Sequence, residues 1–119
     1  MAWSFSANRA VYLQIADRIK KAVLSGKYPA GEQIPSVRQL ALEAAVNPNT
    51  VQHSFSALEN EGIILSRGTT GHFVTDDVQA LELCRKKMAQ ELVDEFLTNL
   101  SALSIDREHA IQLIKEVNL

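Results

Sequence analysis

Residues 35–58, PSVRQLALEAAVNPNTVQHSFSAL, constrain this chain more tightly than any other stretch. They predict two short helices with a break between them. Ser36 is a good N-cap, and Gln39 three residues later completes a capping box, so the first helix has a defined start. Val37, Leu40, Ala41 and Ala44 then lay a small apolar stripe along one side. After the break, Asn47 can cap a second helix and Pro48 suits its first position, where no backbone N–H is required. Val51, Phe55 and Leu58 recur at helical spacing and face inward, which leaves Asn49, Thr50, Gln52, His53 and Ser56 largely outside. Amides and hydroxyls crowded at the exposed start of a short, well-anchored helix suit the DNA major groove. There Asn and Gln can bond the edge of adenine, and Thr can meet a base or a phosphate. The pattern is that of a helix-turn-helix.

The residues after Leu58 extend the pattern. Gly62 closes the second helix, and the β-rich run 63–67 is succeeded by Gly68, Thr69, Thr70 and Gly71 as a turn. A second run begins at His72, and two strands joined by a Gly-bounded loop make a hairpin. Beside a helix-turn-helix such a hairpin is a wing. Its tip lies against the DNA backbone or minor groove, with Arg67 supplying charge and Gly68 and Gly71 allowing close approach.

These residues are similar to the DNA-binding domain of the GntR transcription regulators. The likeness is carried by Gly31-Glu32-Gln33-Ile34-Pro35-Ser36-Val37-Arg38-Gln39-Leu40-Ala41, by Val46-Asn47-Pro48-Asn49-Thr50-Val51 and by Leu58-Glu59-Asn60-Glu61-Gly62, and it extends over about 12–74. The short remainder resembles the YtrA-like subfamily, which has two small helices in place of an effector domain. The resemblance implies repression from a promoter site as the default, and that group is often associated with transporter operons. It also gives Arg38 the position of a groove-reaching arginine, where a guanidinium can take a guanine or a phosphate in two bonds. The alternative for Arg38 is a surface ion pair with Glu43 or a neighbour. Two departures stand out. Ala44-Ala45 replaces the glycine that relatives commonly place in the turn, and a left-handed Ala45 costs about 1 kcal/mol relative to Gly. The wing has Arg67 as its basic residue, with His72 nearby, where relatives often have more, so its share of the affinity should be smaller.

Charge needs dividing before it can be interpreted. The net charge of −2 is unexpected for a DNA binder, yet residues 1–75 hold seven Lys/Arg against five Asp/Glu, while residues 76–119 hold five against nine. The acidity is in the tail, and the weak positive balance ahead of it permits DNA binding without demanding it. At 119 residues the chain makes one modest domain, or a small domain with an appendage. The division expected is a winged helix-turn-helix at 1–75 and a helical dimerisation tail at 76–119, in a fold that is mostly α with a small β-hairpin.

In the first part, residues 1–8 form an arm whose Trp3 and Phe5 pack on their own domain or a partner subunit, or else stack on bases. A first helix from near Ala10 to before Gly26 buries Tyr12, Ile15, Ile19 and Val23 and leaves Arg18, Lys20 and Lys21 on a solvated face. A turn at 28–31 and a single edge strand at Gln33-Ile34 lead into the helix-turn-helix.

In the tail, Asp76 or Asp77 can cap a long helix from Val78 to about Leu100. Leu81, Cys84, Met88, Leu92, Phe96 and Leu100 step along it by three or four. After a break at 101–105, Asp106 can cap a last helix carrying Ile111, Leu113, Ile114 and Val117. Surplus apolar surface of this kind finds its place in a second subunit, so Leu81, Cys84, Met88, Leu92, Phe96, Leu100, Ile111 and Ile114 are the expected homodimer interface. The alternative is a tail folded back on the wing.

The expected function is therefore sequence-specific binding of a double-stranded DNA operator by a symmetric dimer. Its DNA-binding residues are Ser36, Arg38, Asn47, Asn49, Thr50, Gln52, His53, Arg67, Gly68, Thr69 and Gly71. His53 can instead point along the backbone. A small-molecule effector, if one exists, has to bind at the dimer interface or the hinge at 75–78, because about 44 residues are too few to enclose a pocket of the usual size. A second reading keeps the winged fold as a protein-interaction module that has lost DNA binding. The acidic total and the sparse wing favour it, and the polar set Arg38, Asn47, Asn49, Thr50 and Gln52 argues against it.

Catalysis finds little support. His53, His72 and His109 lack metal-ligand spacing, Cys84 reads as a small buried hydrophobe, and no phosphate-binding glycine motif or nucleophile elbow is present. No enzyme activity, metal or cofactor is expected. A single cysteine agrees with a reducing cytosol, and no apolar run is long enough to cross a bilayer. The first ten residues lack the basic start and apolar block of a signal peptide. A cytoplasmic protein is expected.

Overall fold

The computed structural model describes residues 2–118. In chain order they form α1 (Val11–Leu24), α2 (Val37–Ala44), α3 (Pro48–Asn60), β1 (Ile64–Ser66), β2 (His72–Val74), α4 (Val78–Ser101) and α5 (Arg107–Glu116). The chain resolves into two compact units, Met1–Glu82 and Leu83–Leu119, and the division falls within α4. The first unit is a winged helix.

Its core is built around α3, which packs against α1, α2 and β1. Ile15 and Ile19 of α1, Leu40 of α2, Val51, Phe55 and Leu58 of α3, Ile64 of β1 and Val74 of β2 are each at most 2 % exposed. Burying each such side chain stabilises the fold by about 1.5–3 kcal/mol, before the entropy of ordering the chain is set against it.

Local chemistry sets the helix ends. The Ser36 hydroxyl accepts the Gln39 N–H at 3.1 Å while the Ser36 N–H donates to Gln39 Oε1 at 2.8 Å, so the capping box is complete. The α2–α3 turn does place Ala45 in the left-handed region, at φ 59° and ψ 50°. The next N–H, of Val46, returns to the Ala41 carbonyl at 3.1 Å and occupies one of the acceptors left at the helix end. Asn47 Oδ1 accepts the Asn49 N–H at 2.8 Å, and Pro48 opens α3. Gly62, at φ +75°, ends the run, with the Ile63 N–H donating to the Leu58 carbonyl.

The wing pairs Ile64 with Val74, Leu65 with Phe73 and Ser66 with His72, antiparallel. Its loop makes one turn of 3-10 helix at Gly68–Thr70. On the other side of β2, the Ile34 N–H donates to the His72 carbonyl at 3.0 Å and the Val74 N–H to the Glu32 carbonyl at 2.9 Å. The expected edge strand at Gln33-Ile34 is thus a single bridge, Gln33 to Phe73, because Pro35 has no N–H to extend it and α2 begins directly after.

The arm packs on its own unit. The Trp3 backbone N–H reaches the Ala44 carbonyl at 3.4 Å, and the Arg18 guanidinium lies 3.9 Å over the Trp3 ring. Arg18, expected on a solvated face, is therefore stacked as well as exposed. The Gln14 amide donates to the Ser6 and Arg9 carbonyls and accepts the Ser6 N–H, fastening the arm to α1. Burial, and then the Glu43 carboxylate, push the Tyr28 hydroxyl above its ordinary value of 10.0.

In the second unit the α4–α5 turn repeats the device of the first. Ser104 takes φ 61°, the Ile105 N–H donates to the Leu100 carbonyl, and the Ser104 N–H to the Ser101 carbonyl. Asp106 Oδ1 caps α5 by accepting the His109 N–H at 2.9 Å. Helix α5 ends at Glu116, so Val117, which periodicity placed inside it, lies one residue beyond and is extended. Ala110 is the one buried hydrophobic side chain among this unit's described residues. Leu83, Leu92, Val93, Phe96, Leu103, Ile111, Ile114 and Val117 are all exposed.

Candidate nucleic-acid interface

Helix α3 divides sharply into two faces. Val51, Ser54, Phe55 and Leu58 are buried, while Asn49, Gln52, His53 and Ser56, at the i, i+3, i+4 and i+7 spacing of one helical face, are exposed. Thr50 is half-buried at the margin. The outward face thus carries two primary amides, an imidazole and a hydroxyl, and no carboxylate.

Two contacts fix this helix against α1. The buried Ser54 hydroxyl donates to the Tyr12 carbonyl at 2.7 Å and lies 3.2 Å from that of Thr50. His53 stacks on the Tyr12 ring, with centroids 3.5 Å apart and planes 9° from parallel. One imidazole face is therefore committed to Tyr12, and the ring edge is what His53 can offer a ligand. Lys20 Nζ pairs with Glu61 Oε1 at 2.7 Å just beyond the far end of α3. Sequence reasoning missed Ser54, although a serine at an inward position of an apolar stripe was the available signal.

The remaining expected contacts fall on two further elements of the same unit. Ser36 is exposed, but its oxygen is occupied as the cap of α2, so outward it has only its hydroxyl hydrogen to give. Arg38 is exposed in the first turn of α2 and, among the described residues, pairs with no carboxylate, Glu43 included. The side chains of Asn49 and Gln52 likewise make no hydrogen bond to other described residues. Asn47 uses its Oδ1 in capping α3, which leaves its NH2 group to donate outward.

On the wing, Arg67, Gly68 and Thr69 are exposed and Gly71 is half-buried. The Arg67 guanidinium sits 4.8 Å over the Phe73 ring, and its backbone N–H donates to the Gly71 carbonyl at 2.8 Å. Thr70 gives its carbonyl to Gln33 Nε2 at 2.6 Å. His72 turns inward, 3.2 Å from Glu59 Oε1 and edge-on to Phe55, so it ties the wing to α3 rather than adding charge at the tip. The three histidines lie on separate elements, with His109 in the first turn of α5.

The expected dimer residues lie on α4 and α5. Leu81, Cys84, Met88 and Leu100 are half-buried, while Leu92, Phe96, Ile111 and Ile114 are exposed. Phe96, Leu113, Ile114 and Val117 line an open apolar groove of about 270 Å³. No helix among the described residues is long and apolar enough to cross a membrane.

Comparison with known proteins agrees with this geometry. Residues 11–74 match the family described as bacterial regulatory proteins, gntR family. The chain is 31% identical over 111 residues to the HTH-type transcriptional regulator YhcF of Bacillus subtilis, covering 93% of this chain and 92% of that one. It is 29% identical to the HTH-type transcriptional repressor YtrA of the same organism, covering 91% and 84% respectively. A GntR family transcriptional regulator from Listeria monocytogenes superposes with a TM-score of 0.90 at 33% identity, over 96% of this chain and 100% of that one.

Proposed function

This chain belongs to the gntR family of bacterial regulatory proteins, DNA-binding transcription regulators and not enzymes, and we propose that it represses transcription in the cytoplasm by binding a palindromic operator as a homodimer. The observation that carries this reading is the division of α3 into a buried anchor and an exposed polar face. Asn49 and Gln52 bond base edges in the major groove, with Asn47 and Thr50 at the same end of the helix reaching bases or nearby phosphates. His53 presents its ring edge. Arg38 reaches into the groove from α2, and the hydroxyl hydrogen of Ser36 meets a phosphate near the α2 N-terminus. Arg67, Gly68, Thr69 and Gly71 bring the wing to the backbone.

Helices α4 and α5 supply the dimer contact through Leu81, Cys84, Met88, Leu92, Phe96, Leu100, Ile111 and Ile114. Exposed leucine, isoleucine and phenylalanine side chains on two adjoining helices support it. Two-fold symmetry in the protein then asks for two-fold symmetry in the operator. With few basic residues per subunit, affinity depends on both half-sites engaging together. Repression is supported by the YtrA relative, whose name describes a repressor. An effector, where the protein has one, binds at the dimer interface, beside the groove lined by Phe96, Leu113, Ile114 and Val117.

The test is selection of bound sequences from a random duplex pool, repeated with Arg38→Ala and Gln52→Ala. A palindrome from the wild type, relaxed at defined positions in each variant by about 1–3 kcal/mol of discrimination, is the expected result. Enrichment of no sequence at low salt, where phosphate contacts are strongest, would instead favour a protein-interaction module.

A further inference from the structure

Gln33 lies just before the helix-turn-helix, within the family-like motif and an expected edge strand, neither of which gives its side chain a role. In the fold its side chain leaves that edge and crosses to the wing. Its Nε2 donates to the Thr70 carbonyl at 2.6 Å. Among the described residues this is the one side-chain hydrogen bond received by the wing loop from outside the hairpin. The backbone around Gln33 is fixed as well, through its bridge to Phe73 and the bond from the Ile34 N–H to the His72 carbonyl. Ser36, close by in the chain, caps α2, so the origin of this side chain is tied to the start of the helix-turn-helix.

Gly71 shows how closely the amide is fitted. A Cβ at that position would stand 2.6 Å from Gln33 Nε2, well inside contact distance. Gly71 also takes φ 123° and ψ −157°, a conformation that only glycine adopts readily. The missing side chain therefore does two things: it allows the backbone turn, and it leaves room for the amide that grips Thr70. Because the Arg67 N–H is bonded to the Gly71 carbonyl and its guanidinium rests over Phe73, the residues that Gln33 engages are those that aim the wing's arginine.

We propose that Gln33 is the positioning residue of the wing: its amide sets the 67–71 loop against the helix-turn-helix, so that Arg67 meets the DNA backbone while α3 occupies the groove. This rests on the reading that the wing touches DNA. Gln33 itself need not contact the duplex. Its loss would leave the hairpin paired but release the tip, and Arg67 would then forgo its phosphate contact in much of the bound population, because the entropic cost of ordering the loop opposes that contact.

The test uses the full chain with Gln33→Met, which keeps the length of the side chain and removes the donor. Gly71→Ala serves as a second variant that presses on the amide from the other side, and Arg67→Ala as a direct probe of the wing contact. The first readout is amide hydrogen exchange of residues 67–71 in the free protein, which needs no DNA. The second is affinity for the duplex enriched by the wild type, measured across a salt series. Faster exchange confined to the wing loop, a loss of affinity of about fivefold to tenfold, and a salt slope lowered toward that of Arg67→Ala are expected for Gln33→Met. A simple loss of folded protein would lower affinity without changing the slope. Unchanged exchange at 67–71 would overturn the positioning role. Faster exchange with affinity and slope unchanged would overturn its part in DNA binding. If Arg67→Ala is then also without effect, the fault lies in the wing reading; if Arg67→Ala weakens binding, it lies in the role given to Gln33.

Discussion

The winged unit and the tail unit are built from helices of similar apolar content, and they dispose of it in opposite ways. Around α3 the large side chains are hidden, with Phe55, Ile15 and Leu58 fully buried. In the tail, Leu92 and Ile114 keep 60 % and 58 % of their surface exposed, and among its described residues Ala110 is the one buried hydrophobic side chain. The winged unit thus hides most of its large apolar side chains, Leu42, Leu65 and Val78 excepted, and presents polar groups outward at α3. The tail does not, and large apolar side chains stand exposed on it among its charged ones. Hidden and exposed apolar surface thus fall largely in different segments of one short chain.

The largest expected effect breaks the self-sufficient side of that contrast. Phe55→Ala removes the aromatic at the centre of the winged core, and urea unfolding should show a loss of about 3–5 kcal/mol. Leu92→Asp addresses the other side. It should leave the winged core intact while weakening self-association by about a hundredfold or more, read by sedimentation velocity, because a charge replaces leucine in the proposed interface. Unchanged sedimentation would place the dimer contact elsewhere.

Smaller changes sharpen the comparison at the helix ends. Ser36→Ala deletes the oxygen that caps α2 and should cost about 1 kcal/mol of stability, visible as a lowered urea midpoint. Ala45→Gly should act in the opposite sense, stabilising the winged unit by up to about 1 kcal/mol as the left-handed strain is relieved. Ser104→Gly is its counterpart in the tail, where the same relief should appear as slower hydrogen exchange in α5 with the winged unit unaffected.

The features legible in the sequence are those that local chemistry decides. Ser36 with Gln39, Asn47 with Pro48, the left-handed Ala45 and the Asp106 cap each depend on residues within a few positions of one another. Their outcome could be argued without knowing what lay across the molecule. The contacts that orient the candidate interface are of another kind. Ser54 meets a carbonyl 42 positions away, and Gln33 one 37 positions away. Periodicity ranks both residues by the face they occupy and is silent about partners brought in by tertiary packing. His72 illustrates the same limit: its sequence position placed it on the wing near Arg67, and only the fold turns it inward against Phe55 and Glu59.

Trp3 is the single tryptophan of the chain, and it lies on α1 beneath the Arg18 guanidinium with its backbone N–H directed to the end of α2. It is thereby a built-in optical reporter. Its emission should move to longer wavelength when the arm lifts into water, and no tryptophan elsewhere would blur that change. Detachment of the arm can therefore be followed in unlabelled protein, with DNA present or absent and with the tail intact.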